Sequence, residues 1–354
     1  MRVLTVVGAR PQFVKASAVS RCLASVHEEY LIHTGQHRDA DLSQVFFDDL
    51  GLPPPAATLD LGTTTGGERI CAMVHGLSVE IQARQPDVVL VYGDTDSTLA
   101  GALAARIASV PLAHVEAGLR SGVRRMPEEG NRIATDHLAQ LLLCPTESAA
   151  EQLVSECAHG RVCVVGDVML DVVQAGSATT APLPKCVGSV EPGAYYAATL
   201  HRASNVDVDE RLLAIVAALA QLELPVILAC HPRTRAALER IGRAADHGSL
   251  RLIAPLRHAE ILALVAQSRA VLTDSGGLQK EAYFLGVPCI TLRDETEWRG
   301  TLDGGWNALV GADRRRLHAA IRALDDPRGP RDLHRFGDGQ AAARVVTELE
   351  ALGT

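Results

Sequence analysis

Between His114 and Arg132 the chain reads HVEAGLRSGVRRMPEEGNR, with carboxylates at Glu116, Glu128 and Glu129 interleaved with guanidiniums at Arg120, Arg124, Arg125 and Arg132. Such a stretch suits a solvated salt-bridge loop. It also suits a site that holds an anion while protons move. Asp94, Glu116, Glu128 and His201 are the titratable groups that could meet in such a site, each beyond an apolar run, and His231 with Arg233 in CHPRTR adds further donors.

Two glycine-containing turns offer places for the anion. DSGGLQKEA, residues 274–282, sets Ser275, Gly276 and Gly277 at a strand-to-helix turn, where free backbone N–H groups and the helix dipole suit a phosphate. Taken alone, that turn is equally an ordinary helix cap. Glu281, one helical turn further, could accept both hydroxyls of a ribose. GARPQFVK, residues 8–15, brings Arg10 and Lys15 to a second strand-to-helix turn, a cationic pair fit for a diphosphate. The proline after Arg10 predicts an extended residue 10 and a helix starting at Pro11.

Some chemistries are excluded. No G-x-G-x-x-G follows a strand and no G-x-x-x-x-G-K-[ST] occurs, so neither a dinucleotide cofactor nor a P-loop triphosphate is expected. The DTD triplet at 94–96 is too common an arrangement to imply a metal, and none is expected.

The elements that must position these groups are short apolar runs alternating with helical patterns: VLTVV, VVLVY, PLAHV, QLLLC and RVCVV in the first half, and YYAATL, PVILAC, LRLIA, AVLTD and PCITL in the second. Between them lie amphipathic stretches such as ERICAMVHGLSVEIQA. This is the rhythm of βα units building parallel sheets. GSATTAPLPKCVGSVEPG, within residues 174–193, is the best linker. The expected fold is α/β, with two Rossmann-like domains facing a cleft. Domain 1 covers 1–173 and domain 2 covers 174–337. Polar or glycine-rich groups follow nearly every apolar run, so one extended site at the strand ends is expected.

The 354 residues suffice for two domains, and 47% hydrophobic with 21% charged residues is a globular composition. A net charge of −8 argues against nucleic acid or an anionic membrane as partner. No run approaches the roughly 18 apolar residues of a membrane span. The eight cysteines show no C-x-x-C pair, and buried reduced thiols in a cytoplasmic protein are expected.

GARPQ, TGQH, PDVVLVYGDT, HVEAGLRS, PEEGNR, LHRASN, HPRTR, TDSGGLQKEA, LGVPC and GDGQA occur in this order along nearly the whole chain. This series resembles the non-hydrolysing UDP-N-acetylglucosamine 2-epimerases. The resemblance implies a glycosyltransferase-B-like fold, a C-terminal helix near 338–354 that packs back on domain 1, a homodimer, a UDP-sugar substrate and no organic cofactor. It also implies elimination of UDP to a 2-acetamidoglucal and re-addition, interconverting UDP-GlcNAc and UDP-ManNAc. By position, Asp94, Glu116, Glu128 and His201 look like the family's catalytic residues. Arg10, Lys15, Arg132, His231, Ser275, Gly276, Gly277 and Glu281 look like its substrate ligands. Glu129 and Arg132 would orient Glu128, with Arg124 and Arg125 the most expendable.

Departures from the family pattern fall at Ala9, Gly130, Ser204 and Gly300, where Thr, Ala or Ile, often Glu, and Glu are usual. Gly130 is expected to loosen the loop that carries Glu128. Gly300 bears on which sugar fits, so the same chemistry on a modified UDP-HexNAc is the alternative. A hydrolysing epimerase that releases ManNAc and UDP is another, and a binding protein without turnover a third. QHRDADLSQ, from residue 36, departs from the stretch that accompanies activation by a second substrate molecule in some members.

Overall fold

The computed structural model describes residues 1–36, 47, 49–124, 126–176 and 181–352. The expectations placed on residues 37–44, on Arg125, on 177–180 of the linker and on 353–354 of the last helix lie outside the described residues. By its internal contacts the chain divides into two compact units, Met1–Ala175 with Leu333–Thr354, and Gly176–Asp332.

In the first unit the strands are β1 (Arg2–Val7), β2 (Glu28–His33), β3 (Ala57–Thr58), β4 (Val88–Tyr92), β5 (Leu112–Val115), β6 (Leu141–Cys144) and β7 (Arg161–Val164). They form a parallel sheet in the order β3-β2-β1-β4-β5-β6-β7. Helices on both faces cover the central strands, which explains why β4 (VVLVY) and β6 (LLLC) are buried at every position and read as unbroken apolar runs. The final helix, Ala341–Glu350, belongs to this unit and buries Val345, Val346 and Leu349. The Asp171 carboxylate accepts from the N–H groups of Ala341 (3.2 Å) and Ala342 (2.7 Å), supplying the cap that Gln340 does not.

The second unit repeats the plan with β8 (Tyr196–Thr199), β9 (Val226–Ala229), β10 (Leu250–Ile253), β11 (Ala270–Thr273), β12 (Cys289–Thr291) and β13 (Asn307–Leu309). Their parallel order is β10-β9-β8-β11-β12-β13. Apolar residues pack on both faces: Tyr196, Leu228 and Leu272 on one, and Tyr195, Ile227 and Val271 on the other. Each sheet thus has the Rossmann order, with its direction of growth reversing between β1 and β4 and between β8 and β11.

Three sequence expectations change. The first-turn helix runs Arg10–Leu23, and the extended residue is Ala9 (φ −135°, ψ 150°), not Arg10. The cause is Gln12, whose Oε1 accepts from the N–H groups of Gly8 (2.9 Å) and Ala9 (3.0 Å) and pins the chain one residue earlier. PEEGNR is not a loop but the start of the helix Pro127–Leu138. Of the cysteines, Cys144, Cys230 and Cys289 are buried, whereas Cys71, Cys157 and Cys186 are exposed, because they fall on a helix surface, a turn and a short 3-10 helix instead of in strands. Among the described residues no helix is long and apolar enough to cross a membrane.

Candidate active site

Open parallel sheets bind ligands beyond the carboxyl ends of their strands, where the strand order reverses. In the first unit these ends carry Gly8–Arg10 after β1, Gly93–Asp94 after β4 and Glu116 after β5. Gln12 ties the first two together, since its Nε2 donates to the carbonyl of Tyr92 (3.1 Å) and to Thr98 Oγ1 (3.0 Å). Arg10 heads its helix and is half-buried. Lys15 lies one turn further in, buried, with its ammonium bonded to the Glu116 carboxylate. A lysine so near a helix start normally reaches solvent; here it is turned under the sheet ends.

Glu116 has φ +72°, a left-handed conformation that costs a residue with a Cβ roughly 1–2 kcal/mol. The backbone is held there by N–H bonds from Glu116 (3.0 Å) and Ala117 (3.2 Å) to the carbonyl of Leu143 on the neighbouring strand. Gly93 (φ +65°) faces the Lys15–Glu116 pair: a Cβ there would lie 3.0 Å from Lys15 Nζ and 3.2 Å from a Glu116 oxygen. Glycine lets the chain turn and leaves the pair its space.

Arg132, 2% exposed, bonds Asp94 through one nitrogen and Glu129 through another. Glu129 also accepts from the N–H groups of Ser121 (3.0 Å) and Gly122 (2.9 Å), so it ties the segment after Glu116 to the helix Pro127–Leu138. Its bonds among the described residues are thus with residues 121, 122 and 132. Glu128 stands half-buried in the first helical turn, where the helix dipole favours a carboxylate. Gly130 lies inside that helix, and a Cβ placed on it would meet nothing within 4 Å, so it loosens no loop. Asp96 pairs with Arg69 at 2.5 Å, so the two aspartates of DTD face different arginines.

Beneath these groups runs a buried polar chain. His114 Nε2 donates to the carbonyl of Gly93 (2.7 Å), and its Nδ1 meets Asp136 at 2.7 Å. Asp136 also bonds the Gly118 N–H (3.2 Å) and Arg120 (2.7 Å). Burial raises the pKa of Asp136, but His114 and Arg120 outweigh it and hold the carboxyl below its ordinary value. This chain couples the turn before Asp94 to the turn after Glu116.

In the second unit, His201 follows β8 and Asp274 follows β11. Asp274 is fully buried and accepts from the backbone N–H groups of His201 (3.1 Å) and Arg202 (3.0 Å) and from Asn205 Nδ2 (3.0 Å). His201 Nδ1 lies 3.4 Å from the same carboxylate, and its ring centroid is 6.2 Å from that of His231. His231 caps the helix Pro232–Arg240, with Nδ1 accepting from the Arg233 N–H at 3.2 Å. Its Nε2 therefore carries the proton.

Ser275 caps the helix Gly276–Leu285 through Leu278 N–H (3.4 Å), and the N–H groups of Gly276 and Gly277 open its first turn without a bond among the described residues. Gly276 must be glycine for space: a Cβ would stand 2.5 Å from a carboxylate oxygen of Glu297. The Glu297 side chain is nearly enclosed, bonded to Arg293 at 2.9 Å with Arg202 at 4.0 Å. Burial pushes its pKa up, but the two guanidiniums prevail and hold it at about 2. Glu281 points inward from the same helix to His258, at 2.7 Å.

Asp274, Glu297, Arg293, His114 and Asp136 escaped the sequence reading. Asp274 had a signal, an aspartate directly after a buried strand and before the SGG turn. His114 and Asp136 depend on each other across the fold, and Glu297 needs the distant Arg202 beside its neighbour Arg293.

Two parallel-sheet α/β units, with their polar groups gathered at the strand ends of both switch points, define a glycosyltransferase-B-like protein. In fold it is similar to the glycosyltransferase SnogD of Streptomyces nogalater, with TM-score 0.57 at 13% identity over 100% of this chain and 99% of that one. The family model described as UDP-N-acetylglucosamine 2-epimerase matches residues 23–350, and the chain belongs to that family. It is similar to the UDP-GlcNAc 2-epimerase of Methanocaldococcus jannaschii crystallised with UDP-GlcNAc and UDP, with TM-score 0.92 and 36% identity over 99% of this chain and 100% of that one. It is 43% identical to the UDP-2,3-diacetamido-2,3-dideoxy-D-glucuronate 2-epimerase of Pseudomonas aeruginosa, over 99% of this chain and 100% of the relative.

Proposed function

We propose that the protein interconverts UDP-sugars that differ in configuration at carbon 2 of a 2-acetamido sugar. The observation that carries this reading is the buried Lys15–Glu116 pair, with Glu116 held in a left-handed backbone just past β5. A base in a strained, water-poor setting suits the removal of a poorly acidic proton.

In this reading a carboxylate among Asp94, Glu116 and Glu128 takes the proton from carbon 2. The bond from carbon 1 to the UDP oxygen breaks, its electron pair leaving with UDP, and a double bond forms between carbons 1 and 2. His201, Arg10 and the N–H groups of Gly276 and Gly277 stabilise the departing diphosphate. Re-addition of UDP at carbon 1, with a proton delivered to the opposite face of carbon 2, completes the epimerisation. Glu281 binds the ribose and His231 lines the same site. No redox cofactor or metal enters the step. It also carries the family's homodimer and a cytoplasmic setting, the first of which light scattering tests.

The 43% identity to the diacetamido-glucuronate epimerase, with Gly300 where the family usually has glutamate, favours a modified UDP-HexNAc as the substrate. Separate incubations with UDP-GlcNAc and with the UDP-diacetamido-glucuronate, resolved by anion-exchange chromatography, test both readings. Conversion of one or both supports epimerisation and names the sugar. Free amino sugar and UDP as the products would mean a hydrolysing enzyme, and no conversion of either would contradict the reading.

A further inference from the structure

We propose that His258 is a positioning residue for ribose recognition, acting through Glu281; the proposal rests on the reading of Glu281 as the ribose ligand. Glu281 lies about one and a half helical turns, roughly 7 Å along the axis, from Gly276 on the same helix. That spacing is comparable with the reach from a nucleotide's 5′-phosphate to its 2′- and 3′-hydroxyls. The carboxylate is nearly enclosed, with side-chain exposure of 6%, and His258, at 12%, meets its Oε1 at 2.7 Å.

A buried carboxylate is costly unless hydrogen-bonded. Among the described residues the bond from His258 is the one this carboxylate makes. An ionised carboxylate only accepts, so His258 Nε2 is the donor. One bond to Oε1 fixes the plane of the carboxylate and leaves the remaining lone pairs for two hydroxyl donors, the demand of a cis-diol. His258 is the first residue of the helix His258–Ala266, and its backbone is anchored by the neighbouring Arg257–Glu260 cap, in which the Arg257 N–H bonds Glu260 Oε2 at 2.8 Å. The imidazole therefore approaches Glu281 from a fixed element. A purely structural ion pair would show no preference for the ligand's hydroxyls, whereas a positioning bond makes that preference depend on His258.

The test is the binding of UDP and of 2′-deoxy-UDP to the full chain by isothermal titration calorimetry. The wild type, His258→Leu, His258→Gln and Glu281→Gln are compared. The wild type is expected to prefer UDP roughly tenfold or more, as for a hydrogen bond to a charged group. His258→Leu should erase most of that preference by weakening UDP, with 2′-deoxy-UDP within about twofold of wild type. His258→Gln, whose amide N–H can stand in for Nε2–H, should restore it. Should the Leu variant not fold, His258→Asn, too short to reach Oε1, gives the same reading. A preference that survives in the Leu or Asn variant, or an equal weakening of both ligands, overturns the proposal. A wild type without preference, or an unchanged preference in Glu281→Gln, overturns the ribose role of Glu281 itself and the proposal with it.

Discussion

The Lys15 ammonium, on the helix that follows β1, is bonded to the Glu116 carboxylate just past β5, with side-chain exposures of 11% and 8%. Two charges so far from water gain little net stability over well-packed apolar residues. Their presence beside a left-handed backbone is the basis of the proposed chemistry. Under the proposed function Lys15 meets an incoming diphosphate while Glu116 exchanges a proton, and the pair links binding to reaction.

Glu116→Gln keeps the shape of the side chain and removes the base. Turnover of the UDP-sugar should fall at least roughly 100-fold, the lower range for general-base loss. UDP affinity should stay within a few-fold, as measured by initial rates and calorimetry. A variant that turns over normally would move the base to Asp94 or Glu128.

Gly93→Ala places a methyl group 3.0 Å from Lys15 Nζ at φ +65°. Denaturant unfolding should show a loss of about 1–2 kcal/mol from the left-handed conformation alone. Turnover should fall as well, because the methyl group presses on the pair.

Gly130→Ala acts in the opposite sense. The position is exposed, lies within the helix Pro127–Leu138 and has open space around it. Alanine there should stabilise the first unit by roughly 0.5–1 kcal/mol in denaturant unfolding.

Glu297 sets an acid limit on the second unit. Its folded pKa of about 2 lies below the ordinary 4.5, so its contribution to stability is complete above about pH 4.5. It is lost progressively as pH falls through 2. Glu297→Gln should remove that part of the acid dependence and, by leaving Arg293 buried without its partner, cost about 3 kcal/mol near neutral pH. Unfolding curves of both proteins between pH 2 and 7 provide the check.

The central strands were legible because parallel strands covered on both faces read as continuous apolar runs, as in VVLVY and LLLC. β2 was not, since EEYLIH opens on two glutamates and is buried only over its second half. β3 and β13 are two and three residues long, too short to show periodicity. Candidate site residues were legible by type because they follow strands, yet their contacts were not. The bonds that Glu129 accepts from Ser121 and Gly122 come from the helix start that the sequence reading took for a loop. Asp274 passed as part of a turn, although it receives the backbone of two residues from a different strand end. Glu297 is neutralised by one arginine close in sequence and another far from it, and only the fold supplies the second.

Elimination and re-addition are tested most directly by proton NMR of the enzyme with its UDP-sugar in deuterium oxide. The mechanism predicts the carbon 2 epimer with deuterium at carbon 2 and the UDP linkage intact. An epimer that keeps its original hydrogen at carbon 2 would contradict it.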